Sequence, residues 1–158
     1  MAIFRAVAVG GTFDPIHKGH KALFSKAFEV GSKVVIGITT DSFANRLGKE
    51  VNSSFSMRLA AVEEYLRNKF PERNYVIKSL NDFFGAEAYT KEIEALVATP
   101  ETALRVDVAN KVREKQGIDH LRTIIIEIAY ADDGRPISST RIRSGEIDEE
   151  GHILSRDS

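Results

Sequence analysis

Strand-length apolar runs recur along this chain and alternate with stretches of helical spacing, a pattern that a parallel α/β sheet satisfies and an all-helical fold does not. Residues 4 to 9 carry the first run, ending in Ala6-Val7-Ala8-Val9, and Lys33-Val34-Val35-Ile36-Gly37-Ile38 carries the next. Between them, His20 to Phe28 has helical spacing, with Phe24 and Phe28 one turn apart on the expected core face. Helical spacing returns over residues 57 to 66, Tyr75-Val76-Ile77 offers a short strand, and Ile93 to Ala98 reads as another. Glu101 to Gln116 fits a helix that stops at Gly117. Thr123-Ile124-Ile125-Ile126-Glu127-Ile128 is the last strong strand, and its continuous apolar character predicts burial on both faces at the centre of the sheet. Residues 39 to 54 read as a polar connection, 81 to 91 as irregular, and about 146 to 158 as a loosely ordered tail. The expectation is one α/β domain over residues 1–158, a central parallel sheet with helices on both faces.

Composition narrows the functions open to such a domain. The chain has 158 residues, enough for one sizeable core, and its 22 Lys and Arg against 23 Asp and Glu leave a formal charge of −1. That balance gives no support to a nucleic-acid-coating surface, so any phosphate binding is expected to be local. The absence of cysteine removes disulfides, thiolate nucleophiles and zinc-cysteine sites. No apolar run approaches membrane-spanning length and no signal-peptide pattern is present, so a cytoplasmic protein without a membrane partner is expected.

Two segments carry chemistry. The first, Gly10-Gly11-Thr12-Phe13-Asp14-Pro15-Ile16-His17-Lys18-Gly19-His20, follows the first strand and opens a helix. Its two glycines let the backbone approach a ligand with no Cβ in the way, and its two imidazoles sit near a helix N-terminus, which favours an anion. Asp14 is read as a cap for the helix that follows. The second segment, Ser138-Ser139-Thr140-Arg141-Ile142-Arg143, follows the last strand. Ligands of open parallel sheets bind beyond the carboxyl ends of the strands, so the fold can bring both segments to one crevice. Hydroxyls, helix-start N–H groups, histidines able to donate to phosphate oxygens, and arginines suit phosphoryl or nucleotidyl transfer, whose demands are alignment and charge stabilisation. One donor placed in advance contributes on the order of 3 kcal/mol to such a transition state. Alternative readings remain for each part: the histidines as a metal pair, though no third ligand stands out, and Ser-Ser-Thr as an ordinary N-cap followed by a solvated arginine face. The glycine turn lacks the Gly-Lys-Ser/Thr ending of ATPase phosphate loops and the three-glycine dinucleotide fingerprint.

His17-Lys18-Gly19-His20 and Ile137-Ser138-Ser139-Thr140-Arg141-Ile142-Arg143 resemble the His-x-Gly-His and Ile-Ser-Ser-Thr-x-x-Arg motifs of the nucleotidyltransferase superfamily. Leu47-Gly48-Lys49, Ser56-Met57-Arg58, Asp82-Phe83-Phe84-Gly85, Thr99-Pro100-Glu101-Thr102 and Asn110-Lys111-Val112-Arg113 are similar, in order and spacing, to archaeal phosphopantetheine adenylyltransferases and the matching domain of eukaryotic coenzyme A synthase. The resemblance implies a Rossmann-like fold and the reaction of ATP, with Mg²⁺, and 4′-phosphopantetheine to dephospho-coenzyme A and pyrophosphate, without a covalent enzyme intermediate. Carried onto this sequence, it implies that His17, His20 and Lys49 serve catalysis, that Thr12 and Lys49 hold the acceptor phosphate, and that Gly11, Thr12, Phe13, His17, His20, Ser138, Ser139 and Thr140 meet ATP. Arg113 or Arg105 would complete the phosphate shell, and no protein residue would be a metal ligand. Arg58, read from the residue alone, is a structural or helix-surface charge. A monomer and a small homo-oligomer are equally compatible with the sequence.

Three other functions share part of this evidence. Nicotinamide mononucleotide adenylyltransferases have a nearly identical serine motif, and a cytidylyltransferase for a small phosphorylated alcohol would need the same phosphate chemistry. A nucleotide-sensing module would keep the pocket without the chemistry, and loss of the histidines would be its simplest mark.

Overall fold

The computed structural model describes residues 2–84 and 90–154. Five parallel strands form one sheet in the order β3-β2-β1-β4-β5, where β1 is Phe4–Gly11, β2 Gly31–Thr39, β3 Asn74–Leu80, β4 Ala95–Ala98 and β5 Arg122–Ile125. The order reverses between β1 and β4, and in a doubly wound sheet that reversal opens a crevice at the carboxyl ends of the strands. Helices cover both faces because side chains alternate along each strand. Val7 and Val9 of β1 pack with Leu23, Phe24 and Phe28 of α1 (Lys18–Val30) and with Val62 and Leu66 of α3 (Phe55–Lys69), which follows the short helix α2 (Asp41–Arg46). Ala6 and Ala8 face the other side, with Ala109 and Val106 of α5 (Val106–Lys115) and Leu121. Among the described residues, no helix is long and apolar enough to cross a membrane.

Local chemistry sets the helix ends. Ser54 Oγ accepts the Met57 N–H at the start of α3, and the Thr40 hydroxyl accepts the Phe43 N–H at the start of α2. This second cap makes a helix within residues 39 to 54, where the polar composition suggested only a connection. The helix expected over 101–116 is two helices, α4 (Pro100–Ala103) and α5. Arg105 N bonds back to the Thr102 carbonyl, three residues away, which tightens the chain between them. Gly117, with φ of +72°, follows the end of α5 as expected.

Two further expectations are corrected. Arg122–Ile125 forms the edge of the sheet, and Ile125 is 54% exposed. Ladder bonding to β4 ends where Ile126 N reaches the Ala98 carbonyl, so the remaining apolar residues leave the sheet and turn toward the crevice. A continuous apolar run does not distinguish a central strand from an edge strand that continues into a ligand cleft. The tail is packed, not loose, as far as Leu154. Ile147 is fully buried with Ala131 and Ile137, and it pairs across an antiparallel bridge with Ile153. The Glu149 carbonyl also accepts the N–H of Lys18, the first residue of α1. Residues 155–158, and residues 85–89 of the segment expected to be irregular, lie outside the described residues.

Because Ile147 fills space between the tail and the segment before Ser138, Ile147→Ala should cost about 2–4 kcal/mol in denaturant unfolding. A change within about 0.5 kcal/mol would mean that the tail is not part of the core.

Candidate active site

A cavity of about 830 Å³ opens at the carboxyl ends of β1, β4 and β5. Gly11, Thr12, Phe13, His17, His20 and Lys49 line it from one side. Ser138, Ser139, Thr140 and Arg143 line it from the other, on α6 (Ser139–Arg143) and its cap. Val97, Ile126 and Ile137 give it an apolar wall.

The glycine-histidine turn is held tightly. Phe13 is buried at φ of +56°, a left-handed conformation that side chains disfavour, and its ring stacks on Phe24 with centroids 5.3 Å apart. A Cβ on Gly11 would come within 2.9 Å of that ring. His17, not Asp14, is the N-cap of α1: its Nδ1 accepts the Gly19 N–H at 3.0 Å, and His20 Nδ1 accepts the His17 N–H at 3.2 Å. A Cβ on Gly19 would lie 2.9 Å from the His17 ring, so the residue between the histidines must be small. The two rings stack with centroids 3.8 Å apart. With each Nδ1 accepting, the neutral ring carries its proton on Nε2, which leaves one N–H donor per histidine.

Burial pushes the His17 pKa down to about 4. His20 is held well below the usual histidine value, first by burial and then by the charges of His17 and Lys49, against the opposing pull of the Pro15 carbonyl. Both imidazoles are therefore neutral donors at neutral pH in the free protein. Lys49 Nζ donates to Thr12 Oγ1 at 3.3 Å, and Thr39 Oγ1 donates to the same oxygen at 3.0 Å. Desolvation lowers the Lys49 pKa, Glu101 raises it, and Arg143 lowers it further.

On the opposite side, Ser138 Oγ accepts the Arg141 N–H at 3.2 Å and caps α6, so the ordinary N-cap reading holds for this serine while Ser139 and Thr140 follow it into the helix. Arg143 Nη1 donates to the Asp14 carbonyl at 2.7 Å, joining α6 to the glycine-histidine turn. The two arginines of the motif thus separate. Arg141 turns away from the cavity to Asp133, Glu146 and the Pro136 carbonyl.

Other expected site residues lie elsewhere. Arg113 is 2% exposed, and its guanidinium donates to the carbonyls of Asp119, Thr90 and Ile93 near the amino ends of the strands. Its place in the phosphate shell is therefore withdrawn. An arginine that staples carbonyls cannot be told from an anion binder by residue type alone. Arg105 lies over the Phe83 ring at 4.1 Å and does not line the cavity. Asp14 does not cap α1, because its carboxylate accepts the N–H groups of Asn52 and Ser53 at 2.6 and 3.4 Å, tying down the loop beyond Lys49. Arg58 is a structural charge, 1% exposed, bonded to the carbonyls of Thr12, Thr39 and Ser53 and to Asp41. Thr39 was not foreseen. A hydroxyl ending a strand beside the glycine turn was the available signal.

The histidines provide a direct check on these electrostatics. In the free protein, the His17 ring should titrate near pH 4 by NMR, and added ATP should move its midpoint upward, because a nearby polyphosphate favours the cation. A midpoint near 6.5 without ligand would contradict the buried, neutral ring. The lowered pKa also means that the folded state binds this proton less readily than the unfolded chain does. The stabilising contribution of His17 is complete above about pH 6.5 and declines as pH falls toward 4, each tenfold loss of proton affinity on folding corresponding to about 1.4 kcal/mol.

Known proteins place the chain in a family. A family model described as cytidylyltransferase-like matches residues 8–145. The phosphopantetheine adenylyltransferase of Methanothermobacter thermautotrophicus is 44% identical over 97% of this chain and 92% of its own length. That of Methanopyrus kandleri is 42% identical over 94% of each. Among solved structures, a protein of unknown function from Archaeoglobus fulgidus superposes with a TM-score of 0.69 at 30% identity, over 77% of this chain and 89% of that one. The doubly wound sheet, the two facing motifs and these near full-length relatives lead to one conclusion: the chain belongs to the cytidylyltransferase-like nucleotidyltransferases and, within them, to the archaeal phosphopantetheine adenylyltransferase family.

Proposed function

We propose that this protein transfers the adenylyl group of ATP to 4′-phosphopantetheine, giving dephospho-coenzyme A and pyrophosphate. The observation that carries this reading is the pairing of Thr12 with Lys49 on the same cavity wall as two neutral imidazoles, opposite Ser139, Thr140 and Arg143. The near full-length likeness to relatives bearing that name supports the choice of acceptor.

In this reaction an oxygen of the acceptor phosphate attacks the α-phosphorus in line, the new P–O bond forms, and the bond to the bridging oxygen breaks as pyrophosphate leaves. The nucleophile is already ionised, so no general base is required. Thr12 and Lys49 hold the attacking phosphate, and backbone groups of Gly11 and Phe13 meet the nucleotide. Nε2–H groups of His17 and His20 donate to oxygens on the transferring phosphate, where negative charge grows in the transition state. Ser139, Thr140 and Arg143 receive the β and γ phosphates, Arg143 adding a fixed charge. Mg²⁺ enters as part of the MgATP substrate, carried by phosphate oxygens and water.

Pyrophosphate release from ATP and Mg²⁺ should require phosphopantetheine. Release with nicotinamide mononucleotide instead, or with CTP in place of ATP, would overturn the assignment in favour of the corresponding transferase. ATP binding without turnover of any acceptor would favour the sensing module. His20→Ala should lower kcat by about 10²–10³-fold while ATP affinity changes little, as for a contact realised mainly in the transition state. Equal losses in binding with none in turnover would remove that role. Lys49→Ala should raise KM for phosphopantetheine by at least about tenfold with little effect on ATP, and an unchanged acceptor KM would place the lysine outside the site.

A further inference from the structure

The Thr12 hydroxyl has a surrounding that its proposed role alone does not require. Its oxygen receives two donors, Thr39 Oγ1 at 3.0 Å and Lys49 Nζ at 3.3 Å. A hydroxyl has two acceptor positions and one proton. With both acceptor positions engaged, the Thr12 proton is left for a third partner, and Thr12 lines the cavity. Thr39 is itself buried, and its oxygen lies 3.4 Å from Nη1 of Arg58. That same Nη1 is held more closely by the Thr39 carbonyl at 2.8 Å and the Thr12 carbonyl at 3.0 Å. The two hydrogens of Nη1 go to these carbonyls, so the direction at Thr12 comes from its own two donors, the Thr39 hydroxyl and the Lys49 ammonium.

We propose that Thr39 is a positioning residue for substrate phosphate: its hydroxyl donates to Thr12 Oγ1 and, together with Lys49, fixes the Thr12 O–H as a donor aimed into the cavity. The two bonds that the Thr12 oxygen accepts polarise its O–H, which makes it a better donor to an anion than a freely rotating hydroxyl. Lys49 contributes the second bond that closes off the Thr12 oxygen. Thr12 therefore meets a phosphate oxygen with a proton, never with a lone pair. An uncharged acceptor group presenting an N–H at the same place would find no acceptor. The arrangement thereby selects for a substrate group that accepts a hydrogen bond, which deepens the functional reading above and rests on it for the identity of that group as a phosphate.

Thr39→Val removes the hydroxyl while retaining the carbonyl that Arg58 holds at 2.8 Å, so the main anchor of the arginine is preserved. Thr39→Ala makes the same comparison should the valine variant fail to fold. Loss of one neutral hydrogen bond corresponds to about a five- to tenfold change. Two probes report it: KM for phosphopantetheine in pyrophosphate release, and the dissociation constant of inorganic phosphate followed by NMR. Both should rise about five- to tenfold in Thr39→Val and return toward wild type in Thr39→Ser, with KM for ATP and the thermal midpoint little changed. In a Thr12→Val background, Thr39→Val should add almost nothing, since the hydroxyl it orients is gone. Unchanged values for both probes, a full additional loss in the Thr12→Val background, or no recovery with serine would overturn the proposal. A wild-type chain that binds phosphate but does not turn over phosphopantetheine defeats the acceptor assignment instead, and the phosphate measurements then decide the role of Thr39.

Discussion

The Arg58 guanidinium is the interaction on which the phosphate-handling end of the fold depends. A charge that is 1% exposed must find its hydrogen bonds inside the protein, because an unpaired buried charge is strongly destabilising. Arg58 finds them at the end of β1, through the Thr12 carbonyl, and at the end of β2, through the Thr39 carbonyl. It also meets the loop before its own helix, through Ser53, and the start of α2, through Asp41. Three stretches of chain, around Thr12, around Thr39 and Asp41, and from Ser53 to Arg58, are thereby brought to fixed distances from one another. Thr12 and Lys49 face the cavity together because the backbone behind them has little freedom.

The second principle of the site is restraint in its use of charge. A polyphosphate site could be built from many cations, but those would repel one another before the ligand arrives and would have to be desolvated. Here Lys49 and Arg143 supply the nearby positive charge, while the two stacked imidazoles stay neutral and donate through Nε2. A neutral donor is inexpensive to bury, and a hydrogen bond from such a donor strengthens as negative charge grows on its acceptor. The near-balanced composition of the whole chain agrees with this economy.

The sequence conveyed the parallel α/β class, most elements, and the residues of both motifs, because these depend on local periodicity and on short patterns with particular backbone needs. It did not convey what depends on distant partners. Arg113 and Arg143 are the same residue type near helices, yet one staples carbonyls at the amino ends of the strands and the other reaches the Asp14 carbonyl across the cavity. Asp14 resembled a helix cap, but a histidine takes the cap and the carboxylate serves the loop beyond Lys49. Ile125 and Ile128 belong to an apolar run that suggested a sheet centre, whereas the strand order puts β5 at the edge. In each case the residue's chemistry was legible and its partner was not.

The two motifs come from opposite halves of a doubly wound sheet, and their alignment has to be maintained across the crevice. The bond from Arg143 to the Asp14 carbonyl spans it directly, and the bond from Lys18 N–H to the Glu149 carbonyl spans it from the tail. The tail also carries Glu146, which with Asp133 grips Arg141 within α6. The helix is only five residues long, too short to hold its own direction by internal hydrogen bonds. Its orientation must come from these outside attachments. Arg141 and the packed tail therefore act on the site without touching ligand. They fix the angle at which Ser139, Thr140 and Arg143 face the histidines, and in-line transfer is sensitive to that alignment because a displacement of about 1 Å can cost on the order of 10²-fold.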